Sequence, residues 1–270
     1  MRELVEERRP GLLELAREAV GEDPFTRLQD GTAYLQPAIY CASVACLGDG
    51  DAAAASAYAG HSLGEVAALV AAGSLDEEDG LRLVVERGRL MQRAASERPE
   101  GAMLAVGASP DVAAELARTH GLTLANDNSP EQVVLSGDGE AIAQARTAAK
   151  ARGLRASRLP IKGAFHSPAM DLVAGEFSDV LARLRFRPPR APVFSCVSAA
   201  EFGDADDIRR LLAASLTHGV RWREVLLALS DRGIRRFAEV GPGEVLTKLV
   251  AVTLPGAEVV RLEELEAVHG

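Results

Sequence analysis

The amino-acid sequence predicts an α/β fold in which a mostly parallel sheet carries a smaller inserted subdomain. Through most of the chain, apolar segments of strand length alternate with amphipathic segments of helix length, as in parallel sheets covered by helices. Between Gly101 and Lys162 the rhythm becomes a compact βαββαβ order, the ferredoxin-like unit. A Gly-x-Ser-x-Gly pentapeptide at 60–64 marks a sharp turn from strand to helix, as in α/β-hydrolase-like folds. We therefore expect a large α/β-hydrolase-like subdomain from residues 1–100 and 163–270, and a small ferredoxin-like subdomain from residues 101–162.

The part of the chain before the insert is predicted to be mainly helical around the pentapeptide. The alanine-rich stretch just before it favours a helix by propensity, and only its position ahead of a sharp turn makes it a buried strand. The predicted elements are an amphipathic helix over 2–20 broken at Pro10, a buried helix over 35–47, a strand over 52–59, a helix ending at Gly73, and a further helix opened by a capping box at 74–77.

The insert and the C-terminal part follow from alternating short apolar runs and amphipathic segments. In the insert we expect strands near 103–106, 122–125, 132–135 and 154–161, with helices over 111–120 and 141–151. Beyond it we expect helices over 168–184, 208–216, 221–229 and 243–252, with strands over 192–197, 236–240 and 258–262.

Composition excludes several classes of protein. The chain has 270 residues, of which 47% are hydrophobic, so it can bury a sizeable core. Its net charge of -9 provides no basic surplus to neutralise phosphates, which argues against nucleic acid as a partner. There is no apolar run of about 18 residues, and the opening residues are too charged for a signal peptide. We therefore expect no membrane segment and a cytoplasmic protein.

The cysteines and histidines predict no bound metal. Cys41, Cys46 and Cys196 lack the spacing of metal ligands and form no disulfide framework, so we interpret them as reduced core residues.

The pentapeptide makes Ser62 the candidate nucleophile, because its hydroxyl is lifted clear of the backbone at such a turn. A serine hydroxyl needs a base within hydrogen-bond reach. His166 and His218 are the candidates, and we prefer His166 because it lies where the insert returns to the main subdomain, a place where clefts form. The alternative for the pentapeptide is an ordinary turn, and for His166 a structural histidine at a helix start.

Five sequence blocks together resemble the malonyl-CoA:acyl-carrier-protein transacylases of fatty-acid and polyketide synthesis. They occur in the order of that family and span nearly the whole chain. They are Gly-His-Ser-Leu-Gly-Glu at 60–65, Val-Glu-Arg-Gly-Arg-Leu-Met-Gln at 85–92, Asn-Asp-Asn-Ser-Pro-Glu-Gln-Val-Val at 126–134, Gly-Ala-Phe-His-Ser-Pro at 163–168, and Glu-Val-Gly-Pro-Gly at 239–243.

The resemblance implies acyl transfer in two halves, with a coenzyme A thioester as substrate and no bound cofactor. Ser62 would take the acyl group from malonyl-CoA as an ester, and the phosphopantetheine thiol of an acyl carrier protein would remove it. His166 would be the general base and acid, oriented by a backbone carbonyl in the stretch 217–222. Leu63 would supply an oxyanion-hole N–H. Arg87 would pair with the free carboxylate of the malonyl group, a task suited to a planar, permanently charged fork; the alternative is a solvated helix arginine.

The resemblance also points to an acyl pocket formed by Phe165, Asn128 and Arg221. The ring of Phe165, directly before the histidine, resembles acyltransferases that choose malonyl over α-branched units. One methyl group is worth only about 1 to 3 kcal/mol in a pocket. Arg221 stands where fatty-acid members usually carry glutamine and polyketide acyltransferases often carry arginine, which favours the polyketide side.

The chain departs from the family pattern at its start. Members of the family begin with a short apolar strand and a Gly-Gln-Gly loop, which supplies a second oxyanion-hole donor, and this sequence begins at the helix that follows. Loss of one donor costs about 10²- to 10³-fold in rate. We therefore expect the gene to start upstream, with Met1 an internal methionine.

A carrier protein is acidic, as this chain is overall, so docking requires a local basic patch. The candidates are Arg152, Arg155, Arg158, Lys162, Arg183, Arg185, Arg187 and Arg190; the alternative is a solvated charged face.

Two other functions remain open from the sequence. One is an acyl-thioester hydrolase of the editing type, against which Arg87 argues because such enzymes accept uncharged acyl chains. The other is a catalytically impaired, truncated acyltransferase that serves as a docking partner, against which the intact set of Ser62, Arg87 and His166 argues.

Overall fold

The computed structural model describes residues 1–47 and 55–261. Its helices are α1 (Arg2–Arg8), α2 (Pro10–Val20), α3 (Thr32–Cys46), α4 (Gly64–Ala71), α5 (Glu77–Glu97), α6 (Pro110–His120), α7 (Gly139–Ala151), α8 (Asp171–Ala182), α9 (Ala205–Ala214), α10 (Trp222–Asp231) and α11 (Val245–Thr253). Its strands are β1 (Tyr58–Ala59), β2 (Gly101–Gly107), β3 (Thr123–Ser129), β4 (Gln132–Asp138), β5 (Arg155–Arg158), β6 (Val193–Phe194), β7 (Arg236–Glu239) and β8 (Glu258–Arg261). Short 3₁₀ turns lie at Pro24–Thr26 and Pro168–Met170.

The strands outside the insert pair in parallel, as predicted. β1 pairs with β6, and β7 pairs with β8. The helices α3, α4, α5 and α8 enclose the main hydrophobic core, in which Tyr40, Leu69, Leu83 and Phe177 are fully buried. This core holds the first turn of α4 and the middle of α5 in fixed positions.

The insert forms a four-stranded antiparallel sheet in the order β3-β4-β2-β5. Helices α6 and α7 cover one face around Leu104, Leu116 and Leu135. The other face carries Met103, Ala125 and Val134 and packs against Phe165. The open face of the sheet is therefore turned toward the segment that contains His166.

The close approach of α5 to the start of α3 depends on Gly88. A Cβ atom at Gly88 would lie 2.7 Å from the Thr32 carbonyl oxygen, well inside van der Waals contact. Glycine therefore lets α5 cross the first turn of α3, and this crossing brings Arg87 next to Gln36.

Several boundaries differ from the sequence predictions. Pro10 begins a second helix instead of merely bending one, since proline fits the first helical position. Pro37 lies inside α3, which begins at Thr32 rather than at 35. The predicted strands over 192–197 and 154–161 shrink to β6 and β5. Residues 52–54 of the predicted first strand, and Leu262 of the last, lie outside the described residues.

The predicted capping box at 74–77 is wrong. The N-cap of α5 is Asp76, and the hydroxyl of Ser74 instead donates to the Arg187 carbonyl at 2.7 Å. Ser74 is fully buried, so its hydroxyl needs a partner more than the exposed helix start does.

Within residues 1–47 and 55–261, no helix combines the length and the hydropathy that crossing a bilayer requires. The same residues contain no group of three His, Cys, Asp or Glu side chains placed to hold a metal ion.

Candidate active site

The turn between β1 and α4 holds Ser62 in a backbone conformation that only tight packing maintains. Its φ is +53°, in the left-handed region, which costs a non-glycine residue about 1–3 kcal/mol. Gly60 has no room for a side chain: a Cβ atom there would lie 2.0 Å from the carbonyl carbon of Gly64. A Cβ atom on Gly64 itself would meet open space. The first glycine of the pentapeptide is therefore the one that the turn requires.

Ser62 and His166 form a hydrogen-bonded pair. The Ser62 Oγ lies 2.9 Å from the His166 Nε2, and the His166 Nδ1 lies 2.8 Å from the Ser215 carbonyl oxygen. Because a carbonyl can only accept, Nδ1 carries the hydrogen, and the Nε2 of a neutral imidazole is then the acceptor for the serine hydroxyl. The imidazole is thus set in the tautomer that can take the proton of Ser62.

His166 is kept neutral. Burial, and secondarily the Arg87 charge, lower its pKa from 6.5 to about 3, while the bond to Ser215 acts in the opposite direction. The side chain is only 5% exposed. An imidazole in this setting is in its base form throughout the neutral range.

Arg87 brings a buried positive charge to the same hydroxyl. Its Nη2 donates to the Ser62 Oγ at 3.1 Å, and its Nη1 donates to the Gln36 Oε1 at 2.8 Å. Burial lowers the pKa of Arg87 to about 10, which leaves it charged at neutral pH. These two bonds leave guanidinium donors unused among the described residues, so the site can bind an anion beside the serine.

Glu65 is the second buried charged residue of the site. It lies in the first turn of α4 with no exposed surface, and its Oε1 accepts from the Cys196 N–H at 2.6 Å. Burial raises its pKa to about 7, against the opposing effects of the Cys196 N–H and the Arg87 charge. The negative charge of Glu65 in turn raises the pKa of Arg87, opposing the effect of burial.

The Leu63 N–H lies at the start of α4. Backbone N–H groups at a helix start have no intrahelical acceptor, and the hydrogen bonds found among the described residues do not use this one. It directly follows Ser62 and can meet a negative oxygen that forms on an acyl group at that serine.

The three residues expected to form the acyl pocket lie in three different environments. Phe165 is half-buried beside His166 and packs between the main core and the open face of the inserted sheet. The Asn128 Oδ1 lies 2.8 Å from the His61 Nε2. Among the described residues, Arg221 has no hydrogen bond to Ser62 or His166. Its guanidinium binds Glu224 and the Ser198 carbonyl.

The orienting carbonyl was predicted within 217–222. The carbonyl that accepts from the His166 Nδ1 is instead that of Ser215, which follows α9 directly. The backbone of His218, within the predicted stretch, also acts to raise the pKa of His166. The rival base His218 is exposed and bonds to its neighbours Thr217 and Ala214.

Sequence reasoning also missed Gln36 and Cys196. Gln36 is a buried amide in a mostly apolar helix, so its polar side chain at a buried position could have been noticed in the sequence. The contact of Cys196 with the serine turn could not be predicted, because no sequence pattern shows that the residues after β6 pack against that turn.

An α/β protein in which a turn-held serine is paired with a neutral imidazole has the arrangement of enzymes that transfer acyl groups through a serine ester. The family model described as "Acyl transferase domain" matches residues 20–265. The chain belongs to this family, and it is an acyltransferase.

Two curated relatives and one solved structure illustrate the similarity. The polyketide biosynthesis protein ThaF of Burkholderia thailandensis is 38% identical over 91% of this chain, and the chain spans 22% of ThaF. The polyketide biosynthesis malonyl CoA-acyl carrier protein transacylase BaeC of Bacillus velezensis is 39% identical over 85% of this chain and 80% of its own length. A malonyl-transacylase solved in complex with its type II PKS acyl-carrier protein aligns with a TM-score of 0.84 and 33% identity, covering 96% of this chain and 87% of that one.

Proposed function

We propose that the protein transfers a malonyl group from coenzyme A, through an ester of Ser62, to the phosphopantetheine thiol of an acyl carrier protein. The observation that carries the proposal is the buried Arg87 guanidinium, which donates to the nucleophilic oxygen itself at 3.1 Å. A cation there selects acyl groups that bear a carboxylate. The name of BaeC and the complex of a transacylase with its carrier protein support the same substrate and partner.

In the first half-reaction His166 takes the Ser62 proton on Nε2 as the serine oxygen attacks the thioester carbonyl. The Leu63 N–H stabilises the resulting oxyanion. When the intermediate collapses, the carbon–sulfur bond breaks and the coenzyme A thiolate takes the proton from Nε2. The products are malonyl-Ser62, free coenzyme A and a neutral His166.

The second half-reaction reverses these roles. His166 takes the proton of the carrier thiol, the thiolate attacks the Ser62 ester, and the serine oxygen leaves with that proton. The Ser215 carbonyl supports both halves because it holds Nδ1–H and stabilises the transient imidazolium.

Arg87 positions the acyl group in both halves. A bidentate bond from its remaining N–H groups to the malonyl carboxylate would hold the carbonyl carbon next to the Ser62 Oγ. Gln36 fixes the guanidinium from the opposite side, so the fork is already oriented before substrate binds.

We propose that Phe165 limits the room beside the α-carbon of the acyl group, which favours malonyl over substituted malonyl units. Asn128 contributes to the same pocket through His61. Arg221 contributes through the loop at 197–198, whose carbonyls its guanidinium binds. The two polyketide relatives support a role in polyketide synthesis.

We propose that the carrier protein docks on the basic edge at Arg155, Arg158 and Lys162. These residues are exposed and have no ion pair among the described residues, and the segment leads directly to His166. Arg152 and Arg187 instead pair with Glu115 and Asp76.

We propose further that residues 1–100 with 163–270, and residues 101–162, are two subdomains. One hydrophobic cluster contains only residues between 102 and 156, whereas the main core draws on both flanking parts. Malonyl-CoA enters as a substrate and not as a resident cofactor. The cytoplasm is the proposed location, supported by Cys41 and Cys196, which are buried thiols.

The test is intact-protein mass spectrometry after brief incubation with malonyl-CoA or acetyl-CoA, with Ser62→Ala as the control. We expect a malonyl adduct that requires Ser62 and that carrier protein removes faster than water does. An adduct that water removes as fast would indicate a hydrolase. No adduct from either donor would contradict acyl transfer and favour a docking role.

A further inference from the structure

Cys196 packs against the turn that carries Ser62, and both its thiol and its N–H bond to that turn. Its thiol donates to the Gly60 carbonyl at 3.2 Å, and its N–H donates to the Glu65 Oε1 at 2.6 Å. Its carbonyl accepts from the Arg221 N–H at 2.8 Å. The Ser62 N–H lies close enough to the sulfur to act on the pKa of the thiol. A single buried residue therefore touches the turn before, at and after the serine.

These contacts connect the two arms of the turn. Gly60 ends the arm that comes from β1, and Glu65 belongs to the first turn of α4. Ser62 lies between them at a φ of +53°. A residue in that region keeps its conformation only where surrounding contacts fix both sides. Cys196 supplies such contacts on both sides.

Glu65 is the second residue that holds the turn in place. We call Cys196 and Glu65 together the bracket. The Glu65 side chain is fully buried, and its Oε2 has no hydrogen-bond partner in the part of the chain that the structure describes. A buried carboxyl group with a free oxygen is costly. The bond from its other oxygen to Cys196, its charge near Arg87 and the nearby Ser195 hydroxyl all help to offset this cost.

We propose that Cys196 and Glu65 are positioning residues that hold the Ser62 Oγ between the His166 Nε2 and the Arg87 Nη2. This inference rests on the proposed function. Neither residue touches the reacting atoms; both act by fixing the turn. Loss of the bracket lets Ser62 relax from its left-handed conformation, which moves the hydroxyl away from His166 while Arg87 and Gln36 keep their places.

The main test compares Cys196→Ala and Cys196→Ser with Cys41→Ala as the matched control. Cys41 is also a fully buried thiol, but it lies in α3 within the main core. Two rates are measured: labelling of Ser62 by an uncharged fluorophosphonate, which reports activation of the serine, and single-turnover loading from malonyl-CoA. Thermal unfolding is followed for each variant.

Because a misplacement of about 1 Å can cost about 10²-fold in rate, we expect Cys196→Ala to slow both reactions by about 10- to 100-fold. The KM for malonyl-CoA should stay within about twofold, since Arg87 is intact. Cys196→Ser keeps a donor for Gly60 and should recover most of the rate. Cys41→Ala should lower the unfolding temperature without slowing either reaction.

Glu65 is tested with Glu65→Gln and Glu65→Ala. The glutamine keeps an acceptor for the Cys196 N–H, so we expect it to be labelled by fluorophosphonate faster than the alanine variant. If the alanine and glutamine variants are labelled equally fast, or if Cys196→Ala reacts like Cys41→Ala, the positioning role is wrong. If wild-type protein is labelled by fluorophosphonate but never loaded by malonyl-CoA, the proposed function is wrong. The labelling rates of the variants would still test the positioning role of the bracket.

Discussion

At the scale of single residues, Arg87 is the side chain to which we assign substrate selection in the proposed function, because it donates to the Ser62 Oγ at 3.1 Å. It is 3% exposed, and Glu65 is the charge that acts on it. An incoming carboxylate would therefore meet a cation that has no direct ionic partner among the described residues. We therefore expect charge to contribute more than shape to the choice of acyl group.

We expect Arg87→Met to lower single-turnover loading from malonyl-CoA by about 10²- to 10³-fold, because loss of a buried charged partner costs about 2–5 kcal/mol. Loading from acetyl-CoA, which has no carboxylate, should change little. The matched control is Arg82→Met on the same helix, where the exposed arginine pairs with Glu78. Equal losses with the two donors would mean that Arg87 only supports the fold.

The low pKa of His166 predicts an unusual pH profile. A free imidazole with a pKa of 6.5 would lose about 90% of its base form by pH 5.5. Since burial lowers the pKa of His166 to about 3, its base form persists as the pH falls, and kcat/KM for malonyl loading should fall less than twofold between pH 7.5 and pH 5.5.

The measurement is the loading rate at low malonyl-CoA across that range. The pKa of Glu65, raised to about 7, lies within it, so Glu65→Gln is the companion variant. An inflection near pH 7 that vanishes in this variant belongs to Glu65. A tenfold fall by pH 5.5 that persists in it would contradict a depressed pKa at His166.

At the scale of elements, the turn between β1 and α4 is the least tolerant part of the site. The end of the strand and the start of the helix approach so closely that only glycine fits at position 60. Of the two glycines in the pentapeptide, Gly60 is therefore required by close packing and Gly64 is not, although the sequence motif includes both.

We expect Gly60→Ala to abolish loading and to lower the unfolding temperature, because its Cβ would lie 2.0 Å from backbone atoms of Gly64. Gly64→Ala is the matched control: its Cβ meets open space, and alanine at a helix start should be neutral or stabilise the fold by up to about 1 kcal/mol. Thermal unfolding and malonyl loading measure both variants. Similar behaviour of the two would refute the close approach.

At the scale of the whole molecule, the inserted sheet is tied to the rest of the chain through β3. Val220 pairs with the edge of β3, through bonds to the Ala125 carbonyl and the Asp127 N–H, both at 2.8 Å. Asp127 and Arg223 form a two-pronged ion pair with bonds of 2.9 and 2.7 Å. These contacts keep Asn128 against His61 and therefore fix the sheet relative to the turn.

We expect Arg223→Gln to lower the free energy of unfolding by about 2–3 kcal/mol, because it leaves the buried Asp127 carboxylate without its cation. The control is Arg82→Gln, which breaks an exposed pair worth less than about 1 kcal/mol. Urea unfolding gives the stability.

Hydrogen exchange locates the effect and tests the proposed division into subdomains. Amides of β3 and of residues 215–223 should exchange faster in Arg223→Gln, while those of β2 and β4 stay protected. Uniformly faster exchange over the whole chain would indicate a single cooperative unit instead.

The sequence by itself predicted the alternation of strands and helices, the antiparallel insert, and Ser62 and His166 as a candidate pair, whose side chains the structure places 2.9 Å apart; Arg87 was a candidate only through the family resemblance. Local patterns record these features, because the period of apolar residues and the glycine at a sharp turn are properties of neighbouring residues. Residues that belong to no local pattern, such as the single buried amide of Gln36, were harder to predict.

Only the tertiary structure decided which distant groups meet. The Ser215 carbonyl reaches His166 across 49 positions, and Cys196 reaches Gly60 across 136. A backbone carbonyl has no identity in a sequence, and a buried thiol looks like any other small apolar residue. The pKa values of His166 and Glu65 depend on burial from several elements at once, so they follow from the packed core and not from any single segment.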